Sequence, residues 1–311
     1  MNDKARGVLE MSVAMAISGT IGWCVVRSGL PIVELIFWRC VFGAATLAPV
    51  CAALGMLRRD RWSWRLVGLA SLGGVAIVAN WLLIFASYSR ASISIATAVY
   101  NTQPFMLVGL GALFLGERLT AGKLLWLVVA FVGMLLIVQA EHAGAHHAQG
   151  ARLGTGMDDY LVGILMALGA AFFYALAAFV TKKLSGTPPH LIALVQVCVG
   201  IVIVAPAANF AALPSLTDET SAWATLVAMG VIYTGLVYIL LYGAIQKLPT
   251  TLTGALSFIY PLVAIGVDYA AFGQRLQPAQ IAGAAAILIA AAGMTLGWSW
   301  PGAKAAVNEV S

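Results

Sequence analysis

The stretches GERLTAGKLLWLVVAFVGMLLIV (residues 116–138) and GQRLQPAQIAGAAAILIAAAGMTLG (residues 273–297) are two versions of one sequence pattern. In each, a short loop containing a glycine, an arginine and a leucine precedes a long apolar run. The loop residues of the first stretch lie 157 positions before those of the second: Gly116, Arg118 and Leu119 correspond to Gly273, Arg275 and Leu276. This pattern indicates an internal repeat.

The same offset aligns residues that strongly constrain the backbone. Prolines, glycines and one basic residue have equivalents 157 positions later: Pro31 and Pro188, Pro49 and Pro206, Gly73 and Gly230, Arg90 and Lys247, Pro104 and Pro261, Gly109 and Gly266. Chance similarity between apolar runs would align only their abundant leucines and alanines. Coincident prolines and glycines at one ungapped offset therefore favour a duplicated unit.

The composition places this unit in a membrane. Of the 311 residues, 61% are hydrophobic and only 9% are charged, and the mean hydropathy is +0.94. Since a soluble domain carries about 25% charged residues, the composition argues against a soluble, a disordered or a nucleic-acid-binding protein. The cysteines lie within apolar runs and show no paired spacing, which argues against disulfides and metal sites.

Ten apolar runs of the length needed to cross a bilayer predict ten transmembrane helices. They cover residues 8–28, 33–56, 66–87, 91–115, 122–140, 160–182, 190–211, 222–245, 249–272 and 279–300. The polar stretch 141–159 is predicted to link a first repeat (1–140) to a second (160–300), followed by a cytoplasmic tail (301–311). Because five spans per repeat is an odd number, the second repeat must enter the membrane inverted.

The predicted fold is therefore an all-α membrane protein with ten transmembrane helices in two inverted five-helix repeats. Inverted repeats of this kind recur in secondary transporters, where one half rocks against the other to expose a central site to alternate sides. Duplication also builds inert scaffolds and some membrane enzymes, but the pattern favours a transporter.

The distribution of lysine and arginine predicts the orientation. With the N-terminus in the cytoplasm, the cytoplasmic side holds Lys4, Arg6, Arg58, Arg59, Arg61, Arg65, Arg118, Lys123, Lys182, Lys183, Lys247 and Lys304. The outer side then holds Arg27, Arg90, Arg152 and Arg275. Since cytoplasmic loops retain basic residues, we expect both termini to be cytoplasmic in a bacterial-type inner membrane.

Two motifs resemble a known family. The sequence Phe37-Trp38-Arg39 in the second span and GERLT (116–120) after the fourth span are characteristic of EamA-type repeats. The resemblance covers nearly the whole chain and identifies it as similar to EamA-type transporters of the drug/metabolite transporter superfamily. It implies a ten-helix, exporter-like fold with cytoplasmic termini. It also implies a small metabolite as substrate, such as an amino acid, a nucleotide sugar or a drug.

Two equivalent prolines predict where the substrate binds. Pro104 and Pro261 lie near the centres of the fourth and ninth spans, and a proline there removes a backbone hydrogen bond and kinks the helix. The freed carbonyls belong to Tyr100 and Ser257. Symmetric kinks at mid-depth are where an inverted-repeat carrier would place its site, although prolines can also simply shape a bundle.

Polar and aromatic residues surround both prolines. The predicted substrate-binding set is Asn80, Trp81, Tyr100, Asn101, Gln103, Pro104, Tyr238, Ser257, Tyr260 and Pro261. A cavity with several aromatic rings and few charges suits zwitterionic or amphipathic solutes that have apolar bodies. For the deeper aromatic residues, lining of the cavity and simple packing in the bundle are equally supported by the sequence.

Three charges lie deep within predicted spans, where each is costly unless it is paired or hydrated. Glu34, Arg39 and Asp268 all fall in the outward half of the predicted topology. Arg39 could pair with Asp268 or with Glu34 as a fixed salt bridge, or act as a gating cation that meets a substrate carboxylate. Proton antiport would require Glu34 or Asp268 to titrate, whereas a facilitator would not.

The sequence thus predicts a secondary transporter, an exporter of amino acids or related small metabolites, with import or exchange of another metabolite or a cationic drug as the alternative. A membrane enzyme or receptor is the less favoured class, because neither a convergent catalytic set nor a large extramembrane domain is visible. We expect no cofactor, no metal and no nucleic acid. The expected partners are a small-molecule substrate and the lipid bilayer, with the protein a monomer or a weak homodimer.

Overall fold

The computed structural model describes residues 2–21, 31–58, 62–91, 96, 99–117, 119–145, 157–209, 220–272 and 278–298. Its described residues are overwhelmingly helical, and none of them belongs to a strand. The apolar sequence explains this architecture, because in a bilayer each backbone N–H and C=O must find a partner inside the protein, and a helix provides one within the segment itself. The predicted all-α class is confirmed.

Twelve α-helices are present in the described residues. They are α1 (Asp3–Gly19), α2 (Ile32–Ala53), α3 (Trp64–Ala91), α4 (Gln103–Leu115), α5 (Ala121–Ala145), α6 (Met157–Lys183), α7 (Pro189–Val204), α8 (Thr220–Gly230), α9 (Val237–Lys247), α10 (Thr250–Ser257), α11 (Ile259–Phe272) and α12 (Pro278–Leu296). A 3-10 turn (Ala205–Ala207) follows α7, and a π-helical segment (Val231–Leu236) joins α8 to α9.

Five helical segments of the described chain are long and apolar enough to cross a membrane. They are Ile32–Ala53, Trp64–Ser87, Asp159–Lys183, Pro189–Ala207 and Trp223–Lys247. Shorter apolar helices cover Gln103–Leu115, Ala121–Leu136, Thr250–Val263 and Ile281–Leu296. These lengths and compositions make the chain a multi-pass membrane protein.

The fourth and ninth predicted spans are interrupted where the sequence predicts kinks. A turn at Asn101 and Thr102 precedes α4, so that Pro104 is the second residue of that helix. A break at Phe258 separates α10 from α11, and Pro261 is the third residue of α11. A proline in the first turn of a helix removes no intrahelical hydrogen bond. The two prolines therefore begin new half-helices and do not bend continuous ones.

The stretch between the repeats is shorter than the polar sequence suggests. Helix α5 continues to Ala145 and α6 already begins at Met157, so both ends of the predicted linker 141–159 are helical. Alanine, glutamine and glutamate near 139–145 favour a helix whether or not they are apolar. Residues 146–156 and the predicted tail 301–311 lie outside the described residues.

Helix packing follows the 157-residue offset. Helix α3 packs on α6 and α7, and the equivalent helices pair in the same way, α9 on α1 and α8 on α2. Helix α4 packs on α6 as α11 packs on α1, while α2 contacts α7 and α5 contacts α12 across the two halves. The pattern describes two similar helix groups that face each other, with α4 and α10 in contact between them.

Candidate functional site

A cavity of about 160 Å³ lies between the two helix groups. Its lining comes from α1, α2, α3, α6, the π-helical segment, α9 and the residues around the two helix breaks. The lining residues are Met15, Ser18, Ile21, Arg39, Ile77, Asn80, Trp81, Ile84, Phe85, Tyr100, Asn101, Gln103, Tyr174, Tyr233, Val237, Tyr238, Leu241, Ser257 and Tyr260.

Most of the predicted substrate-binding residues meet at this cavity. Eight of them line it: Asn80, Trp81, Tyr100, Asn101, Gln103, Tyr238, Ser257 and Tyr260. Pro104 and Pro261 are buried beside it but do not line it. Pro104 instead packs at the crossing of α4 and α10, where a Cβ atom added to Gly254 would stand 3.0 Å from the Cβ of Pro104.

An aromatic stack forms one wall of the cavity. The rings of Trp81 and Tyr238 are stacked with centroids 6.2 Å apart, and Tyr242 stacks behind Tyr238 at 5.1 Å. Trp81 and Tyr238 are separated by 157 positions, so the two repeats contribute equivalent residues to the stack. On another wall Tyr100 and Tyr174 meet edge to face at 6.2 Å.

Arg39 places its guanidinium group on this aromatic wall. Its Cζ atom lies 4.3 Å from the centroid of the Trp81 ring and 6.0 Å from that of Tyr238, within the range of cation–π attraction. Its Nε donates to Thr234 Oγ1 at 2.8 Å and its Nη2 donates to the backbone oxygen of Tyr233 at 3.2 Å. Only 7% of Arg39 is exposed, so the aromatic faces and these two acceptors replace most of its hydration.

The structure does not bring the predicted charge partners together. The carboxylate of Glu34 is buried and its Oε1 accepts a hydrogen bond from the backbone N–H of Asn209 at 2.9 Å. Arg39 forms no ion pair with any carboxylate of the described residues. Asp268 lies on the backbone of α11, but its side chain is outside the described part of the chain.

Amide side chains are among the other polar groups of the cavity, beside serine and tyrosine hydroxyls. Asn80 donates through Nδ2 to the backbone oxygen of Ala170 at 2.8 Å and to the Tyr100 hydroxyl at 3.3 Å, which fixes its orientation. Gln103 is 7% exposed, and its amide has no hydrogen-bond partner among the described residues. The cavity therefore offers a cation and a neutral amide to a solute.

Several lining residues were not predicted from the sequence, and neither was the π-helical segment. One of these lining residues is Tyr174 of α6, for which a signal was available, since it is an aromatic residue with a polar hydroxyl inside the sixth predicted span. The π-helical segment had no such signal. It presents Thr234, whose hydroxyl donates to the backbone oxygen of Met229, five residues earlier, and accepts from Arg39. Such π-bulges are frequent at functional sites.

Paired charges lie outside the cavity, toward the C-terminal ends of α4, α6 and α9. Lys247 Nζ lies 2.5 Å from Glu10 Oε2, and Lys182 Nζ lies 3.4 Å from Glu117 Oε1. Glu117 Oε2 also accepts from the backbone N–H and the hydroxyl of Thr250, at 2.9 and 2.8 Å. We call these residues, Glu10, Lys247, Glu117 and Lys182, the paired-charge layer. Glu10 and Lys247 tie α1 to α9, and Glu117 ties the end of α4 to α6 and to α10.

Potential metal ligands do not cluster in the described residues. No group of three or more histidine, cysteine, aspartate or glutamate side chains that could hold a metal ion occurs there. The groups that line the cavity include aromatic rings, amides and the guanidinium of Arg39.

Comparisons with known proteins show the family of the chain. The EamA-like transporter family matches residues 6–139 and again residues 161–296. An uncharacterized transporter, YxxF, of Bacillus subtilis is 30% identical over 94% of this chain and 89% of its own length. A probable terminal-alkyne amino-acid exporter of Streptantibioticus cattleyicolor is 26% identical over 83% of this chain and 82% of its own.

Another relative carries a different substrate in its name. A riboflavin transporter of Brucella anthropi is 25% identical over 57% of this chain and 56% of its own length. A solved crystal structure superposes with a TM-score of 0.79 at 19% identity, covering 94% of this chain and 98% of that one, and this likeness concerns the fold alone. The chain belongs to the EamA-like transporter family of drug/metabolite transporters, and it is a multi-pass membrane transporter of small molecules, not an enzyme.

Proposed function

We propose that the chain is a secondary transporter that exports amino acids or related small metabolites by alternating access. The observation that carries the proposal is the aromatic cavity beside the two helix breaks. Discontinuous helices are the usual setting of substrate sites in inverted-repeat carriers. The relative named as a terminal-alkyne amino-acid exporter supports the substrate class and the direction.

The cavity's size favours a small solute. A dry cavity of about 150 Å³ holds one benzene-sized molecule, and the cavity here measures about 160 Å³. An amino acid with an apolar side chain matches this volume better than a nucleotide-linked metabolite does. The riboflavin transporter among the relatives favours the second candidate, an importer or exchanger of another metabolite, which would need a wider cavity.

The proposed architecture is ten transmembrane helices in two inverted repeats, 1–140 and 160–300. Two observations support it: the family matches each half separately, and helices that are equivalent under the 157-residue offset make equivalent contacts. The excess of lysine and arginine at one set of loops supports cytoplasmic termini in an inner membrane. In this orientation the paired-charge layer lies on the cytoplasmic side.

Alternating access then assigns a task to the paired-charge layer. The cavity draws its lining from the other side of that layer, so this conformation would be closed to the cytoplasm. Opening to the cytoplasm would require the end of α4 to separate from α10, because these helices meet where the two groups face each other. The hydrogen bonds from Thr250 to Glu117 would break, whereas the pairs Glu10 with Lys247 and Glu117 with Lys182 join helices of one group and would persist.

The proposed coupling residues are Glu34 and Asp268. Proton antiport would require one of them to bind a proton during the cycle, because the cavity lining among the described residues contains no carboxylate. Neutralising both, as Glu34→Gln with Asp268→Asn, should abolish the pH dependence of transport by an antiporter. Transport that is insensitive to pH in the wild type and unchanged in this double variant would identify a facilitator.

Counterflow in proteoliposomes tests the proposed function. Vesicles loaded with unlabelled solute would be assayed for uptake of the same labelled solute, with amino acids, riboflavin and a cationic drug as probes. We expect uptake of apolar amino acids by the wild type. No uptake of any probe by folded protein would contradict the transporter cycle, and uptake of riboflavin alone would favour the second candidate.

A matched pair of tryptophan variants tests the cavity in the same assay. Trp81 is 7% exposed on the cavity wall, whereas Trp64 is 92% exposed at the start of α3. Trp81→Ala should weaken the apparent affinity about tenfold or more, since it removes a stacking and cation–π surface. Trp64→Ala should leave it unchanged. Equal effects of the two variants, at equal protein abundance, would place the substrate elsewhere.

A further inference from the structure

The cavity contains a buried positive charge that no carboxylate of the described residues neutralises. Arg39 carries five N–H donors, and the structure provides acceptors for Nε and Nη2, namely Thr234 Oγ1 and the backbone oxygen of Tyr233. The Nη1 group has no acceptor among the described residues. Both acceptors are neutral, so the full charge of the guanidinium remains.

The neighbours of Arg39 hold it in place without balancing its charge. Trp81 offers an aromatic face 4.3 Å from Cζ, and the hydroxyl of Thr234 is itself held by the backbone oxygen of Met229 at 3.0 Å. Glu34 is engaged with the backbone N–H of Asn209. No carboxylate of the described residues lines the cavity. A charge in such a position within a membrane protein marks a functional site by default.

We infer that Arg39 binds the carboxylate of the transported metabolite through Nη1, so that the substrate class is an organic acid or amino acid with an apolar body. This inference rests on the proposed transport function and specifies its substrate. Arginine suits the task, because its planar fork matches a carboxylate and its charge persists at all physiological pH values.

The remaining lining fits the rest of such a molecule. Ile77, Ile84 and Leu241 provide apolar surface for the body. The amide of Gln103, which has no partner in the described chain, can donate to a second carboxylate oxygen or accept from an ammonium group. Solutes without a carboxylate would leave the charge of Arg39 unbalanced, and the site should therefore discriminate against them.

Two matched pairs of probes isolate the contribution of the carboxylate to binding affinity. 3-Phenylpropanoate differs from 3-phenylpropanamide only in that group, and phenylalanine differs in the same way from phenylalaninamide. Calorimetric titration of the purified wild-type protein should show each acid binding at least tenfold more tightly than its amide. Equal affinities within both pairs would overturn the inference, and this test needs no variant.

Variants of Arg39 test whether this residue causes the preference for acids over amides. Arg39→Gln should reduce the affinity for each acid to that of its amide and leave the affinity for the amides unchanged, while Arg39→Lys should retain part of the preference. Arg90 is the matched control, since its Nη1 donates to the backbone oxygen of Ala86 and to Met166 Sδ outside the cavity. Arg90→Gln should keep the full preference. A uniform loss of affinity for all four probes in Arg39→Gln would overturn the inference and indicate a structural role.

Counterflow separates this inference from the proposed function. If phenylalanine is transported but its affinity does not depend on the carboxylate or on Arg39, transport stands and the carboxylate site is wrong. If the acids bind in an Arg39-dependent manner but no probe exchanges across the membrane, the binding site stands and the transport cycle is wrong.

Discussion

Arg39 and Gln196 occupy equivalent positions in the two halves of the chain, 157 residues apart, yet their surroundings differ. Arg39 faces the cavity, with its guanidinium on the Trp81 ring. Gln196 is fully buried behind the cavity, where its Oε1 accepts from the Tyr242 hydroxyl and its Nε2 has no partner. One half thus contributes a cation to the site, and the other contributes a neutral group that supports the wall.

This difference separates the scaffold from the site. Residues shared by both halves, such as Pro104 with Pro261 and Trp81 with Tyr238, set the helix breaks and the aromatic stack. Residues present in one half only, such as Arg39, give the cavity its charge. In the proposed cycle, a symmetric framework would provide two equivalent ways to open the cavity, while an asymmetric lining would let a single solute bind in one orientation.

Substitution of the equivalent glycines Gly73 and Gly230 should have the largest effect on stability. A Cβ atom added to Gly230 would overlap Phe42 Cβ and stand 2.9 Å from the backbone nitrogen of Gly43. Since backbone atoms cannot move aside cheaply, Gly230→Ala should destabilise the protein by about 3 kcal/mol. At the equivalent Gly73 the obstacle is the amide end of Gln196, so Gly73→Ala should cost about 1 kcal/mol. Thermal unfolding in detergent measures both values.

Gly68 provides the control for these two substitutions. It lies in α3 with nothing within 4 Å of an added Cβ atom, so Gly68→Ala should leave stability unchanged or raise it slightly through helix propensity. If Gly73→Ala proved as destabilising as Gly230→Ala, the two helix crossings would be equally tight. The difference inferred between the surroundings of Gly73, beside Gln196, and those of Gly230 would then be wrong.

The charges of the paired-charge layer have partners, whereas Arg39 has no acidic partner among the described residues. Substitutions in this layer should have an intermediate effect on stability. Glu10 and Lys247 are partly buried and lie 2.5 Å apart. Lys247→Met should lower the free energy of unfolding by about 1 kcal/mol, because it removes a partly buried pair that joins α1 to α9. Thermal unfolding in detergent measures this loss.

A double-variant cycle checks that the pair itself causes this loss of stability. Glu10→Gln and Lys247→Met should each lower the free energy of unfolding, and their combination should add little to either one. Lys4→Met is the control, because Lys4 is exposed and donates only to the backbone oxygen of Thr295. Fully additive effects of the two substitutions would show that Glu10 and Lys247 act separately.

Much of the site could be predicted because the residues that form its scaffold can be recognised in the sequence alone. Prolines, the aromatic residues near them and the positions 157 residues apart are visible without coordinates, and most of these residues line one cavity. The partners of Arg39 were not predictable in this way. The sequence offered Glu34 and Asp268 as acidic partners, whereas the structure supplies Thr234 and the backbone of Tyr233 from a π-helical segment. The choice between α and π hydrogen bonding in an apolar run depends on tertiary packing, and no residue type specifies it.

Gln196 should show the smallest effect on binding. Gln196→Leu removes a buried amide whose Nε2 has no partner but also removes the acceptor of the Tyr242 hydroxyl, so the two contributions should offset and stability should change by about 1 kcal/mol or less. Because Gln196 does not line the cavity, the affinity for 3-phenylpropanoate should stay within about twofold of the wild type, in contrast to Arg39→Gln. Calorimetric titration makes this comparison directly. A loss of acid binding in Gln196→Leu as large as in Arg39→Gln, at full thermal stability, would mean that both halves contribute chemistry at this position and that the site is as symmetric as its scaffold.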